Sequence, residues 1–160
     1  MGDRSLRPLF LSLGLLAVST GLLGFSAGLL GVSASAAALD VDLYAQLLER
    51  HTRAVEDIAS TRVDYLAVSR DPDWRLLLRS LEASQTETLE GREALAFWVN
   101  AYNILAIEIV ARNYPVASIK DVGSLLRPVW KSRAGTIDGR EVTLDGIEHR
   151  TLRPLGDPRI

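Results

Sequence analysis

The chain contains no cysteine. Disulfides, thiolate metal sites and a cysteine nucleophile are therefore excluded for it as it stands, and so is a lipid-modified N-terminal cysteine. Histidine is nearly absent too, with only His51 and His149. A metal site would have to be assembled mostly from carboxylates, and none is expected from the usual ligand sets. Charge of one sign is not in excess: 18 basic and 20 acidic residues leave a net charge of −2. No basic stripe is interleaved with aromatics, so no nucleic-acid partner is expected. A glycine-rich phosphate loop and a nucleophile-elbow sequence are both missing, and no cofactor is implied. Lysine is confined to Lys120 and Lys131, the other basic residues being arginine.

One further absence is informative. From Pro8 to Leu39 no residue is charged, while Arg4 and Arg7 precede that run and Asp40 and Asp42 follow it. A basic start, the apolar stretches Leu9-Phe10-Leu11 and Leu15-Leu16-Ala17-Val18, and a small-residue end (Ser33 to Ala38) make a secretory signal. Ala34-Ser35-Ala36 and Ala36-Ala37-Ala38 both fit the small-x-small cleavage pattern. The charge asymmetry puts the N-terminus inside and the rest outside. Residues 1–38 are thus expected to be a signal peptide, and the mature part periplasmic or extracellular. The alternative is an uncleaved anchor in the cytoplasmic membrane through residues 9–34, a run long enough to span. Its glycines and serines dilute the hydrophobicity and argue for cleavage.

The chain has 160 residues, 48% of them hydrophobic. Without the N-terminal segment roughly 120 residues remain, enough for one modest core. Leu43, Leu47, Leu48, Val55 and Ile58 recur at helical spacing and predict a first helix over Val41–Ala59. His51 falls among its polar positions and reads as a solvated surface residue. Val63-Asp64-Tyr65-Leu66 reads as a short link. Asp71-Pro72-Asp73 opens a second helix with an apolar face of Trp74, Leu77, Leu78 and Leu81.

Arg92–Asn113 holds neither proline nor glycine and predicts a long helix. Leu95, Trp98, Tyr102, Leu105 and Ile109 line one face, and Ala96, Phe97, Ile104, Ile107 and Ala111 make the other side apolar as well. Such a helix is buried on more than one side, with Trp98, Tyr102 and Leu105 expected among the most buried residues. Glu108 and Arg112, four apart, read as its surface pair. Tyr114-Pro115 ends it. Ser118 opens a short helix, Arg127–Arg133 is a loop, and Asp138-Gly139 turns a small hairpin. Thr143 or Asp145 then caps a helix running through Glu148 and His149 toward Leu152.

Three groups of residues carry candidate chemistry. Asn100 and Asn103 share one face of the long helix; they either orient a catalytic histidine or bind substrate, or they satisfy backbone groups in the core. Glu148 and His149 suggest an acid–base pair, with His149 the base because its ordinary pKa is near neutrality; adjacent helical residues do not face each other, which argues against joint chelation. The bland reading of His149 is a local hydrogen bond. Trp130 beside Lys131 suits a sugar or an anionic ligand, against the alternative that Trp130 covers the core edge and Lys131 is solvated.

Phe97-Trp98-Val99-Asn100-Ala101-Tyr102-Asn103 followed by Tyr114-Pro115-Val116-Ala117-Ser118-Ile119 resembles the signature of the family called domain of unknown function 547. Val129-Trp130-Lys131, Val142 to His149, Leu152-Arg153-Pro154 and Gly156 to Ile160 fit it as well, and Val63-Asp64-Tyr65 fits its earlier boundary. The resemblance runs over roughly Val41 to Ile160 and carries no established activity. Exported bacterial members are common, in accord with the N-terminal address. In the family the pattern continues into a His-led, cysteine-containing segment, so the resemblance implies that residues 39–160 are the N-terminal part of an incomplete domain.

The expected fold is α+β, mostly helical, with one small β-hairpin. The expected function is that of an exported envelope protein. It is either part of a Cys–His type hydrolase or transferase with His149 as base and an asparagine as orienter, or a non-catalytic domain that binds a partner or a glycan. No partner is identified, and a membrane is involved only through an uncleaved N-terminal segment.

Overall fold

The computed structural model describes residues 38–56, 60–124 and 127–158; the expected signal peptide, apart from Ala38, lies outside them. Helix α1 (Val41–His51) starts where the Asp40 carboxylate accepts from the Leu43 N–H at 2.9 Å and buries Tyr44 and Leu47. It stops eight residues before the predicted end. Thr52 is extended, and β1 (Thr52–Ala54) pairs antiparallel with β2 (Thr61–Val63), with Arg53 opposite Arg62. The β-branched Thr52 favours the extended form. Val55 repeats the helical period but follows the strand; its N–H donates to the Ser60 carbonyl and closes the ribbon. Ile58 lies outside the described residues. A second two-stranded sheet therefore joins the expected hairpin.

The expected link at Val63–Leu66 is the end of β2 and the start of α2 (Tyr65–Arg70), whose cap Asp64 accepts from the Ala67 N–H at 3.0 Å. Asp71 ends α2 and at once caps α3 (Pro72–Ala83), with Pro72 in the first turn and Trp74, Leu77 and Leu81 buried. The apolar period of α3 is thus the one the sequence shows, with Leu78 packed at its margin.

Helix α4 (Gly91–Arg112) is the centre of the domain. Its C-terminal half is buried nearly all round: Asn103 to Ile107 and Ile109 to Ala111 all lie inside. Its N-terminal half is different. Leu95, Ala96, Phe97, Trp98, Asn100 and Tyr102 are only half-buried, so Trp98 and Tyr102 are not among the deepest residues, whereas Leu105 is. Glu108 does not form a surface pair with Arg112. Its carboxylate accepts from the Trp74 indole N–H at 2.8 Å, while Arg112 reaches the Arg133 and Ala134 carbonyls.

After the Asn113 terminus, short 3₁₀ turns at Ile119–Val122 and Val129–Lys131 lead to β3 (Arg133–Ile137) and β4 (Arg140–Thr143). Asp138 and Gly139 both have positive φ, 52° and 66°, the geometry of a two-residue hairpin turn. The Asp138 carboxylate accepts from the Thr86 hydroxyl at 2.9 Å, which ties the hairpin tip to the α3–α4 connection. Gly135 faces Leu105 so closely that a Cβ would sit 2.5 Å from its Cδ2. Thr143 caps α5 (Leu144–Ile147), accepting from the Gly146 N–H at 2.9 Å. A π-helical turn (Glu148–Leu152) continues it.

The Tyr44 hydroxyl is enclosed and makes no hydrogen bond, and burial raises its pKa well above the ordinary phenol value. An orphaned buried hydroxyl costs about 1–3 kcal/mol. Tyr44→Phe keeps the ring and removes that cost, so thermal denaturation is expected to show a stabilisation of about 1 kcal/mol. A destabilised variant would show that the hydroxyl is satisfied in solution.

Candidate functional site

The π-turn determines what meets α4 at its exposed half. Wide turns of this kind occur mostly as single turns and often at functional sites. Here it carries Glu148 and His149, and the segment packs against α4. Glu148 Oε1 accepts from Arg153 Nη2 at 2.8 Å and lies 3.7 Å from His149 Nδ1. The Tyr102 phenol is held above its ordinary pKa by burial first and by the Glu148 charge second. Glu148, His149, Arg153 and Tyr102 therefore form one cluster in which the carboxylate is the hub. His149 itself is exposed.

Next to Tyr102 along the same half of α4, Phe97 and Trp98 stack edge to face with ring centroids 5.2 Å apart and planes at 89°. Such pairs hold their geometry beyond simple burial. Tyr102 thus stands beside a carboxylate and a guanidinium, and the half-buried Trp98, four residues earlier, shares its side of α4. Asn103 lies inside the helix packing and Asn100 is half-buried. The structure brings neither into a hydrogen bond with His149. Trp130 packs against the core margin and Lys131 is exposed.

A second polar cluster went unread in the sequence, and it corrects the placement of His51. His51 is not solvated: its Nε2 lies 2.7 Å from Asp71 Oδ2, and the two side chains are 9% and 8% exposed. Arg50 Nη1 bonds the same oxygen at 2.7 Å and Asp73 Oδ2 at 3.0 Å, while Asp71 Oδ1 accepts from the Asp73 N–H at 2.8 Å. The basic end of α1 meets the acidic start of α3, each placed where its helix dipole favours it. The signal was present as Arg50-His51 at one helix end and Asp71-Pro72-Asp73 at the next start. Glu108, bonded to Trp74, is held above the ordinary carboxyl pKa by burial, which outweighs the Trp74 bond and the Arg112 charge. Among the described residues no three His, Cys, Asp or Glu side chains are grouped closely enough to hold a metal ion.

Two short antiparallel ribbons around a long buried helix define a mostly helical α+β domain with a polar–aromatic face at one end of that helix. Residues 86–158, from the α3–α4 connection through the last turn, match the family model described as Protein of unknown function, DUF547, and this part of the chain is a domain of that family. The match takes in α4, the hairpin and the π-turn; α1 to α3, which the sequence resemblance also drew in, precede it. No curated protein and no solved structure matches the chain.

Asp71 generates a test of the second cluster. Burial alone would raise its carboxyl pKa, but the bonds from His51, the Asp73 N–H and Arg50 outweigh that and bring it from 3.8 to about 2. The folded carboxyl is thus more acidic than the unfolded one. Its contribution to stability is complete above the unfolded value and is lost as pH falls toward about 2. Asp71→Asn keeps a capping side chain without the charge. Its melting temperature is expected to fall less than that of the parent between pH 4 and 2. Parallel pH profiles for the two proteins would remove Asp71 from the account.

Proposed function

We propose that the protein is exported and that its DUF547-family domain is a binding module for a saccharide, acting through the exposed half of α4 and Glu148. The observation that carries the binding reading is the half-buried aromatic run Phe97, Trp98 and Tyr102 beside a carboxylate already oriented by Arg153. A sugar ring has an apolar C–H face and a rim of hydroxyls. Aromatic rings take the first, and a carboxylate with a neighbouring guanidinium accepts from and donates to the second. Binding sites of this kind are mostly apolar with a few fixed polar groups.

The export reading rests on the N-terminal pattern: basic start, uncharged apolar run and alanine-rich end. It also supplies a setting, the cell envelope, in which saccharides are at hand. N-terminal sequencing of the extracytoplasmic protein is expected to find cleavage between Ala34 and Leu39. An intact Met1 chain in the membrane would instead support the anchor through residues 9–34.

A second reading draws on the 3.7 Å approach of His149 to Glu148: the pair moves a proton, as a hydrolase or transferase requires. The chain supplies no thiol for a Cys–His mechanism, and the Glu148 carboxylate is engaged by Arg153, so binding is preferred. Calorimetric titration of the full chain with soluble oligosaccharides separates the two. Trp98→Ala is expected to weaken binding at least about tenfold, as loss of an aromatic anchor does, and His149→Ala to leave it nearly unchanged. Turnover of an oligosaccharide abolished by His149→Ala would decide for catalysis.

A further inference from the structure

Charge is unevenly spread along the domain. Of the 18 basic and 20 acidic residues, Arg4, Arg7 and Asp3 precede Leu39, which leaves 16 and 19. Residues 114–133, the connection from α4 to β3, hold four of those basic side chains: Lys120, Arg127, Lys131 and Arg133. They hold one acidic side chain, Asp121, so the connection carries +3. The other residues from 39 onward carry 12 basic against 18 acidic side chains, a net of −6. Both lysines of the chain fall in the connection. A basic segment in an acidic domain makes a local field that the net charge conceals.

The fold gathers these charges. The Ile119–Val122 and Val129–Lys131 turns pack on each other. Gly123 lies so close to the second turn that a Cβ would sit 2.5 Å from the Val129 nitrogen. Arg112, at the end of α4, adds a fifth cation, because its guanidinium donates to the Arg133 and Ala134 carbonyls at 3.3 and 3.5 Å. Arg133 itself is paired with Glu141 at 2.9 Å, and Asp121 stands next to Lys120. Lys120, Arg127 and Lys131 are exposed and form no ion pair among the described residues. Trp130, between Arg127 and Lys131 in the chain, is half-buried at the core margin.

We propose that this basic surface docks on an anionic lipid layer, the headgroups of a bilayer containing acidic phospholipid. No bond orients the three unpaired cations, so they offer no fixed geometry to a discrete anion. Cations of that kind suit a diffuse negative surface. The half-covered Trp130 ring among them suits the boundary between headgroups and hydrocarbon, where tryptophan is enriched. An acidic polymer in water has no such boundary. The sequence admits a membrane only through the N-terminal segment; this surface adds a contact made by the folded domain itself. It is independent of the saccharide reading, since none of its residues belongs to the Glu148 cluster.

The test is co-sedimentation of the full chain with vesicles of phosphatidylcholine alone and of phosphatidylcholine with an equal share of phosphatidylglycerol. The parent is expected to bind the acidic vesicles at least tenfold more tightly at about 0.01 M salt, where charges act over roughly 30 Å. That preference is expected to vanish at about 1 M salt, where they act over roughly 3 Å. Lys120→Glu with Lys131→Glu is expected to weaken binding to the acidic vesicles at least tenfold, since each cation near such a surface contributes about fivefold. Arg75→Glu with Arg79→Glu makes the same change in net charge at exposed positions of α3, and is expected to weaken it less than threefold. All chains are compared below their thermal transitions, and the N-terminal apolar segment, common to them, cancels from these ratios. Equal binding of the parent to the two kinds of vesicle overturns the proposal, and so do equal losses in the two double variants. Release from the acidic vesicles by polygalacturonate at matched charge overturns the lipid as partner and assigns the surface to an acidic polysaccharide.

Discussion

Burial of the C-terminal half of α4 is the constraint on which the rest of the domain depends. Asn103 to Ile107 and Ile109 to Ala111 are enclosed, and a helix segment apolar nearly all round must be covered on every side. The chain surrounds it with small pieces: α2, the Ile119–Val122 turn, β3 and α5 pack on it, and α3 reaches it through the Trp74 bond to Glu108. Each piece is too short to be stable alone, since isolated helices under about 12–15 residues are marginal in water. Their order comes from packing, and α4 is what they pack against.

Polar contacts then fix how the pieces are joined. The Trp74 N–H to Glu108 bond sets α3 on α4. The Asp138 bond to Thr86 sets the hairpin on the same connection. Asp71 does more than cap α3, because the carboxylate that begins that helix also receives Arg50 and His51 from the end of α1. One side chain thus sets the relation of two helices. Its surroundings keep it ionised, so the junction is charged on both sides, and favourable dipoles at both helix ends add to it. Breaking such a group by removing one partner is more damaging than its net contribution suggests, since the other is left shielded and unpaired.

What could be read from the residues follows the range of the interactions. Local signals were legible: Asp71-Pro72 as a helix start, the 22-residue α4 from its unbroken helix-forming run, Asp138-Gly139 as a tight turn, and Thr143 as a cap. Failures arose where a distant partner decided the outcome. Val55 continues the helical period of α1, yet β1 forms because β2 is there to pair with it. His51 sits at a polar position and is nevertheless shielded, because Asp71 lies opposite. Glu108 and Arg112 have ideal helical spacing, but Trp74 and the β3 carbonyls compete successfully for them. Of the candidate site, the residue types were legible. Their grouping was not, because the π-turn that brings Glu148 toward Tyr102 has no simple sequence mark.

The contrast between the two halves of α4 bears on function through its cost. A domain this small has about 5–15 kcal/mol of net stability, and exposed apolar area forfeits about 25 cal/mol per Å² relative to burial. Leaving Phe97, Trp98 and Tyr102 half-covered while shielding an unpartnered amide at Asn103 weakens the fold twice on the same helix. A sequence selected for stability alone would reverse both choices, with polar residues outside and an aliphatic side chain at position 103. The first choice becomes favourable if the half-covered surface is completed by a ligand that is apolar on one face and hydrogen-bonding at its edge. Neither feature alone distinguishes a binding face from imperfect packing. The half-covered rings stand next to a carboxylate that Arg153 orients, and that neighbour is what separates the two explanations.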